Sequence, residues 1–194
     1  IIITFIVWIF SNFLATIMLL ITIWVYYFFR DPDRVVINDN SFLVSPADGL
    51  VTDISELKGP EELSLENETF TRISIFMNVF NCHVNRIPTA GKIEEIFYKP
   101  GKFLNASLDK ASKENERNYY KILTTKGEEI IVVQIAGLIA RRIVCEVSKN
   151  QNLKQGDRIG MIRFGSRVDL FFKNKKPLVK IGQNVLAGES LLAK

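Results

Sequence analysis

The first 29 residues constrain this chain more than any other feature, because they form one unbroken apolar run. Residues 1–29 contain no charged residue, no glycine and no proline. A run of about 20 apolar residues is long enough to cross the hydrocarbon core of a bilayer. The length of the run and the lack of a small-residue cleavage site after it disfavour a secretory signal peptide. Residues 1–29 are therefore predicted to be a membrane anchor.

Two arrangements of this anchor are open. A helix of this length would reach roughly 43 Å at about 1.5 Å per residue, which exceeds one hydrocarbon core. The segment is either a tilted single helix or a helical hairpin that turns at the polar pair Ser11-Asn12. Arg30 and Arg34 follow, and a positive flank favours the cytoplasmic side. The sequence thus predicts a protein of the cell (inner) membrane whose main domain, residues 30–194, lies on the cytoplasmic side.

The remainder of the chain has the pattern of a mostly β domain. Segments rich in Ile, Val, Phe and Tyr predict short strands, which turn dipeptides such as Asp48-Gly49 separate. Only 103–116 is compatible with a helix. Many short strands favour a compact β-sandwich or barrel, and 45–51 and 180–189 resemble the strand-turn phrases of lipoyl and biotinyl carrier domains. The predicted strand segments are 43–54, 72–80, 92–98, 118–124, 129–136, 141–147, 158–164, 167–172 and 184–193.

Charge and cysteine content exclude several classes of function. The formal charge of +4 at pH 7 comes from 25 basic and 21 acidic residues. This surplus is too small to argue for a nucleic-acid partner, but it suits a surface that faces anionic lipid headgroups. The chain has one histidine, and Cys82 and Cys145 lack the spacing of metal ligands. No metal site is predicted.

Gly165-Ser166 is the first segment that could carry chemistry, and three interpretations of it are open. The dipeptide could be an ordinary turn between two strands. It could hold a serine hydrolase nucleophile, but the usual elbow needs a glycine where this chain has Val168. It could also be a self-cleavage site, because glycine permits strained backbone geometry and the Ser166 hydroxyl could attack the Gly165 carbonyl.

His83 and Asp48 are the other two candidates. His83 is the only histidine, and imidazole is the side chain whose unperturbed pKa lies near neutrality. The polar residues Asn85 and Arg86 follow it closely, between apolar strands. Asp48 is either a residue of an Asp-Gly turn or a carboxylate that orients His83, as in a catalytic triad. A structural role is open for both.

Six motifs, in order along the chain, resemble the short bacterial and archaeal type of phosphatidylserine decarboxylase, a pyruvoyl-dependent family. Each motif alone is weak, but six in family order form a specific signature. An apolar anchoring segment before Phe-Phe-Arg-Asp-Pro is also a family trait. The motifs are 28–34 (FFRDPDR), 45–49 (SPADG), 83–88 (HVNRIP), 100–106 (PGKFLNA), 134–142 (QIAGLIARR) and 163–169 (RFGSRVD).

This resemblance implies a proenzyme that cuts itself between Gly165 and Ser166. Residues 1–165 would form the larger chain and residues 166–194 the smaller, with Ser166 converted to a covalent pyruvoyl cofactor. The two chains would remain together as a heterodimer, and further oligomerisation is left open. The implied reaction is decarboxylation of phosphatidylserine to phosphatidylethanolamine in phospholipid biosynthesis, through a Schiff base between the substrate amine and the pyruvoyl group.

The resemblance also assigns roles to site residues. Asp48 matches the acidic residue of the family's processing triad. His83 matches the first histidine of a His-x-x-His-x-Pro pattern, which is tied to decarboxylation. Arg86 stands at the second histidine, so the base for self-cleavage is left open between His83, Asp48 and water, with Arg86 and Asn85 in supporting roles. The substrate phosphate needs a cation, and the candidates are Arg163, Arg167, Arg141 and Arg142.

Two other functions are compatible with the sequence. An archaetidylserine decarboxylase would apply the same headgroup chemistry to a different lipid. A membrane-tethered carrier or binding module would have no catalysis, but biotinyl and lipoyl carriers need a lysine at a hairpin tip, where this chain has Gly165-Ser166. The expected partners are a phospholipid substrate and the membrane, and no nucleic acid.

Overall fold

Apolar alternation along the chain produces antiparallel sheets in a computed structural model of the protein. The structure describes residues 1–104, 114–137, 142–164 and 166–194, without the side chains of Ile9 and Phe10. These residues form two compact units, Ile1–Pro32 and Asp33–Lys194. The boundary between the units falls in the charged, proline-containing segment after the apolar run, where a lipid-facing helix could not continue.

The first unit consists of two apolar helices. Helix α1 spans Ile2–Phe10 and helix α2 spans Asn12–Phe28. Ser11 separates them with extended backbone, φ −162° and ψ 108°, and its hydroxyl accepts a hydrogen bond from Leu14 N at 3.4 Å. Side chains of both helices line one shared apolar cavity. The helices therefore face each other across the break, as in the helical hairpin rather than the single helix.

The apolar surface of this unit is largely uncovered. Phe5, Trp8, Phe13 and Leu20 are among its exposed side chains. The 17-residue helix α2 is roughly 26 Å long at 1.5 Å per residue. In the described part of the chain, neither helix combines the length and the apolarity that a membrane span requires. The membrane anchor at residues 1–29 stays a prediction.

The second unit is the β domain, and the mostly β fold is confirmed. A short 3-10 turn, Glu61–Leu63, follows the second strand. The described strands are β1 (Leu43–Val44), β2 (Gly49–Lys58), β3 (Thr69–Met77), β4 (Val84–Arg86), β5 (Gly91–Lys99), β6 (Arg117–Thr124), β7 (Glu129–Ile135), β8 (Arg142–Cys145), β9 (Asn152–Leu153), β10 (Arg158–Arg163), β11 (Ser166–Phe172), β12 (Asn184–Val185) and β13 (Leu191–Ala193).

Antiparallel pairing joins these described strands into three sheets. The large sheet has the order β12-β2-β3-β11-β7-β6-β5-β9, the second sheet has the order β4-β10-β8, and β1 pairs with β13. Strands β10 and β11 are consecutive in sequence but belong to different sheets. The chain therefore passes from one sheet to the other between Arg163, which ends β10, and Ser166, which begins β11.

The large sheet has two unlike faces, because side chains alternate along each strand. On one face, Val168, Leu170 and Phe172 of β11 belong to the main hydrophobic core. On the other face, Phe171 belongs to a smaller cluster that includes Leu63 of the 3-10 turn. Ser166 lies at an even-numbered position of β11, so its side chain shares the face of the main core.

Most predicted strand segments coincide with observed strands. Two of them are divided, because 43–54 contains β1 and the start of β2, and 184–193 contains β12 and β13. The two carrier-like phrases meet where β12 pairs with β2. The sequence does not predict β4 and β9, which have three and two residues and are too short to show a periodicity. The helix-compatible segment 103–116 falls mostly outside the described residues.

Gly160 provides a test of the second sheet. It lies in β10 with φ 150°, and an added Cβ would lie 2.0 Å from Val144 O on the neighbouring strand. We expect Gly160→Ala to lower the free energy of unfolding by about 3 kcal/mol, because backbone must move to remove the clash. Urea denaturation of the full chain measures this change.

The matched control for this prediction is Gly182→Ala. Gly182 also has positive φ, 87°, but nothing lies within 4 Å of its added Cβ. The cost should therefore be only the conformational one, about 1–2 kcal/mol. Equal losses of stability in the two variants would contradict the close packing of β10 against β8.

Candidate active site

Ser166 begins β11 at the junction between the two larger sheets. Its Cα pairs with that of Met77 at the end of β3. The Ser166 side chain is fully buried, and no hydrogen-bond partner for its Oγ occurs among the described residues. Burying an unsatisfied hydroxyl costs about 1–3 kcal/mol. Such groups are rare in folded proteins, and reactive residues are one of the accepted reasons for them.

The backbone just before Ser166 is strained. Phe164 has φ 63°, in the left-handed region that bulky residues avoid. A residue in this region costs on the order of 1–3 kcal/mol and persists only where the surrounding structure enforces it, which is common at functional sites. Gly165, the residue predicted to precede the cut, lies outside the described residues. The strain at Phe164 therefore adjoins the predicted cleavage site.

His83 directly precedes β4 and contacts the end of β10, the strand that leads to this junction. Its carbonyl accepts a hydrogen bond at 3.3 Å from Ile162 N, near the end of β10. Its imidazole is fully buried, and Nδ1 lies 3.0 Å from Asn81 O. This contact favours the tautomer in which Nδ1 carries the proton, so that Nε2 of the neutral ring is a proton acceptor.

A turn rich in asparagine holds the carbonyl that contacts His83. Asn78 N donates to Asn81 Oδ1 at 2.9 Å, and Phe80 N donates to Asn78 Oδ1 at 2.9 Å. Asn81 N donates in turn to Asn78 O at 3.0 Å. Asparagine side chains commonly bond to nearby backbone in this way and stabilise turns. A backbone carbonyl fixed by this turn is therefore one of the contacts that orient His83.

The Asp48 carboxylate is bound to Arg34 rather than to His83 in the part of the chain that the structure describes. Arg34 Nη2 lies 3.0 Å from Oδ1 and 2.7 Å from Oδ2, and Ala187 N donates to Oδ1 at 2.8 Å. Only 9% of the Arg34 side chain and 6% of the Asp48 side chain are exposed. Burial is the largest single effect and lowers the pKa of Arg34, but Asp48, with smaller contributions from Cys82 and Glu189, raises that pKa above its ordinary value. The predicted orientation of His83 by Asp48 would require a different arrangement.

Two of the arginines predicted for the substrate phosphate are neighbours on the surface. Arg163 at the end of β10 pairs with Arg142 at the start of β8, and both are exposed. They lie where the chain leaves the second sheet for Ser166. Arg141 lies outside the described residues.

Arg167 has a different environment. Its guanidinium binds both carboxylate oxygens of Asp169, at 2.6 and 2.9 Å, and donates to Ser74 Oγ at 2.8 Å. Arg167 is 3% exposed and lies on the face of β11 opposite to Ser166. Its hydrogen bonds therefore serve the second face of the large sheet.

The polar residues that follow His83 are buried. Arg86 is 8% exposed, and its Nη1 donates to Gly156 O at 3.0 Å. Asn85 is fully buried, and its Oδ1 accepts a hydrogen bond from Gln134 Nε2 at 2.8 Å. Both side chains are thus built into the interior near His83 rather than exposed on a turn.

Sequence reasoning misses three residues that shape this site: Arg34, Asn81 and Gln134. Arg34 and Gln134 lie inside the family-like motifs 28–34 and 134–142, and this membership is the signal that could have identified them. Asn81 belongs to a turn-forming segment, but nothing in the local sequence indicates that its carbonyl contacts the imidazole.

Known proteins similar to this chain match it along most of its length. A family model described as phosphatidylserine decarboxylase matches residues 21–193. A phosphatidylserine decarboxylase proenzyme from Pelagibacter ubique is 68% identical over 194 residues, which is 100% of this chain and 90% of that protein. Proteins of the same name from Ruegeria pomeroyi and Rickettsia typhi are 55% identical over 174 residues and 50% identical over 185 residues. These matches cover 89% and 95% of this chain, and 80% of each relative.

The buried ion pair predicts a large loss of stability when only one partner is removed. We expect Arg34→Met to lower the free energy of unfolding by about 3–5 kcal/mol, because it leaves the Asp48 carboxylate buried without its cation. Adding Asp48→Asn should restore part of the loss, since a neutral amide still accepts from Ala187 N.

Lys102→Met, which removes an exposed ion pair with Glu114, should cost less than about 1 kcal/mol. Urea denaturation of the full chain distinguishes these values, and equal stabilities would contradict the buried pair.

Proposed function

Since the chain belongs to the phosphatidylserine decarboxylase family, we propose that it is a proenzyme that makes its cofactor from its own backbone. The protein decarboxylates phosphatidylserine to phosphatidylethanolamine. The cut would fall between Gly165 and Ser166 and give chains 1–165 and 166–194, held together as a heterodimer. One observation carries this proposal: the buried Ser166 hydroxyl has no hydrogen-bond partner among the described residues.

Ser166 would be the nucleophile of the self-cleavage. Its hydroxyl oxygen would attack the Gly165 carbonyl carbon, the amide bond would break, and an ester would join the two residues while the Ser166 amine is freed. Removal of the Ser166 α-proton would then expel the Gly165 carboxylate from the β-carbon. The dehydroalanine would take up water and release ammonia, which leaves a pyruvoyl group at the start of the smaller chain. The strain at Phe164 supports this location.

The residues around Ser166 fit such a cofactor. A pyruvoyl group supplies a carbonyl that accepts the electrons released when carbon dioxide leaves. Met77 and Val168, which flank Ser166 on the main-core face, are fully buried and apolar. They would exclude water from the substrate carboxylate. An apolar environment destabilises this charged group, which would promote its departure as carbon dioxide.

His83 is proposed as the acid and base of the site. With Nδ1 bonded to Asn81 O, Nε2 has a lone pair that could accept a proton from Ser166 during self-cleavage. The same nitrogen could later donate a proton to the substrate α-carbon after carbon dioxide has left. Asn85 and Arg86 are proposed as supporting residues, and Asp48 stays a candidate for the processing step through the family resemblance.

Arg163 and Arg142 are the arginines that we favour for the substrate phosphate. Both are exposed cross-strand neighbours beside the passage to Ser166. Two adjacent guanidinium groups can form several charge-assisted hydrogen bonds to one phosphate. Arg167 is proposed to be structural, because Asp169 already binds it on the opposite face of β11.

The helical unit is proposed to hold the enzyme at the cytoplasmic surface of the inner membrane. Most of its large apolar side chains are exposed, and an apolar surface of this kind suits the boundary between headgroups and acyl chains. A lipid with two acyl chains stays in the bilayer, so attachment would confine the enzyme and its substrate to the same surface.

The proposed cut predicts two fragments in the purified protein. Intact mass spectrometry should find a smaller fragment that begins at position 166 and is lighter than its serine form by one ammonia. Ser166→Ala should remain uncut and inactive, because alanine has neither a nucleophile nor a leaving group. Ser74→Ala, which removes a buried hydroxyl from the neighbouring strand β3, should still be cut. Normal turnover by Ser166→Ala would refute the assignment of the cofactor.

The role of His83 predicts a loss of activity without a loss of fold. We expect His83→Ala to lower kcat by roughly 10²–10⁴-fold, the usual contribution of a general acid or base. Carbon dioxide release measures kcat, and electrophoresis shows whether the variant is still cut. A cut but inactive variant would assign His83 to decarboxylation, whereas an uncut variant would assign it to self-cleavage, because an uncut chain lacks the cofactor that turnover needs. A cut variant with normal kcat would contradict the proposal.

A further inference from the structure

A buried chain of hydrogen bonds leads through the main core to the Ser166 end of the large sheet. Tyr120 Oη lies 2.7 Å from Gln134 Oε1, and Gln134 Nε2 lies 2.8 Å from Asn85 Oδ1. Asn85 Nδ2 lies 3.7 Å from Met77 Sδ. Tyr120, Gln134 and Asn85, which we call the relay, are each 0% exposed. Polar groups buried this deeply are costly unless they bond to one another, and a satisfied network of this kind rigidifies its surroundings.

Two strand registers place the end of the relay beside Ser166. Met77, which contacts Asn85, is the Cα partner of Ser166 between β3 and β11. Gln134 is the Cα partner of Val168, on the same face as Ser166 and two residues further along β11. Diagonal neighbours of this kind are about 7–8 Å apart at Cα, within reach of long side chains. Gln134 of the relay, and Met77 at the end of the relay, therefore lie on the two strands that pair with β11.

The donors of the relay all point in one direction. The structure places Gln134 Oε1, which can only accept, 2.7 Å from the Tyr120 hydroxyl, so Tyr120 donates its single proton to Gln134. Ile159 O, at 3.2 Å, is the more distant acceptor. Burial raises the pKa of Tyr120, so the hydroxyl keeps this proton at neutral pH.

This direction determines how both carboxamides face the site. With Oε1 held by Tyr120, the Gln134 nitrogen points to Asn85 and donates to its oxygen. Asn85 must then present its own NH₂ group towards Met77, on the side of Ser166. An isolated carboxamide could adopt either orientation, because its two ends have nearly the same shape.

We propose that Tyr120 and Gln134 are positioning residues that hold the Asn85 amide as a hydrogen-bond donor for the Ser166 site, an inference that rests on the proposed self-cleavage. Among the described residues, Asn85 Nδ2 has only the thioether of Met77 as an acceptor, and a thioether is a weak one. Its protons can therefore serve an oxygen that gains negative charge. Attack of the Ser166 hydroxyl on the Gly165 carbonyl creates such an oxygen, and a preoriented donor stabilises it.

Gln134→Glu tests the direction of the relay. An ionised glutamate cannot donate to Asn85 Oδ1, whereas a protonated glutamic acid can. Relative to the parent chain at each pH, we expect self-cleavage of the variant to be slower by roughly tenfold or more at mildly alkaline pH, and to recover as the pH falls. Gln134→Met cannot donate at any pH and should not recover. Electrophoresis of freshly synthesised full chain, sampled over time, gives the rate constants.

Tyr120→Phe provides a second variant with a matched control. It removes the hydroxyl that orients Gln134, so self-cleavage should slow by roughly tenfold. Tyr119→Phe also removes a buried hydroxyl, since Tyr119 is 2% exposed, but its side chain belongs to the smaller cluster on the opposite face. This control should cleave at the parent rate. Melting temperatures of both variants separate a change in stability from a change in positioning.

The outcomes distinguish a failure of the positioning role of the relay from a failure of the proposed self-cleavage. Parent rates of cleavage in both Gln134→Glu and Tyr120→Phe would overturn the relay, as would a slow Gln134→Glu that fails to recover at low pH. If Gln134→Glu does not fold, the comparison of Tyr120→Phe with Tyr119→Phe decides alone. A parent chain that is never cut would instead overturn the proposed self-cleavage.

Discussion

The pairing of β11 with strands on both sides is the constraint on which the site depends. Its register places Ser166 opposite Met77 and Val168 opposite Gln134. A slip of one residue would exchange the two faces of the strand, and would bring Arg167 into the main core. The apolar residues that alternate along β11 and its neighbours prevent this slip. Packing of the core therefore also determines where a reactive hydroxyl is buried.

Charged groups follow the same division of faces. Arg167 and Asp169 pair on the second face of the large sheet, whereas Asp48 pairs with Arg34 beside Ala187. Buried ion pairs seldom add net stability, because removing two charges from water offsets much of their attraction. Breaking one is nevertheless destabilising. These pairs thus hold particular segments together: Arg34 lies near the start of the second unit, and Asp48 lies in a motif of the candidate site.

Several parts of the fold were predictable from local patterns. The alternation of Ile73, Ile75 and Met77 with Ser74, Phe76 and Asn78 predicts a strand. The observed β3 buries Ile73, Ile75 and Met77 in the main core. One of the two arrangements open for the apolar run has a turn at Ser11-Asn12, and the structure has a break between α1 and α2 at Ser11. Strands β4 and β9 were not predictable, because they are held by pairing with distant strands rather than by their own periodicity.

Local sequence was enough to predict the apolar start, most strand segments and the family motifs, and through the motifs the reaction, because each of these is encoded by residues close together in the chain. The folded chain was needed to show which arginine is buried, that Arg34 binds Asp48, and that Gln134 contacts Asn85. The last two contacts join residues 14 and 49 positions apart. Periodicity indicates which face a side chain occupies, but the neighbour that it meets there depends on strand order and register.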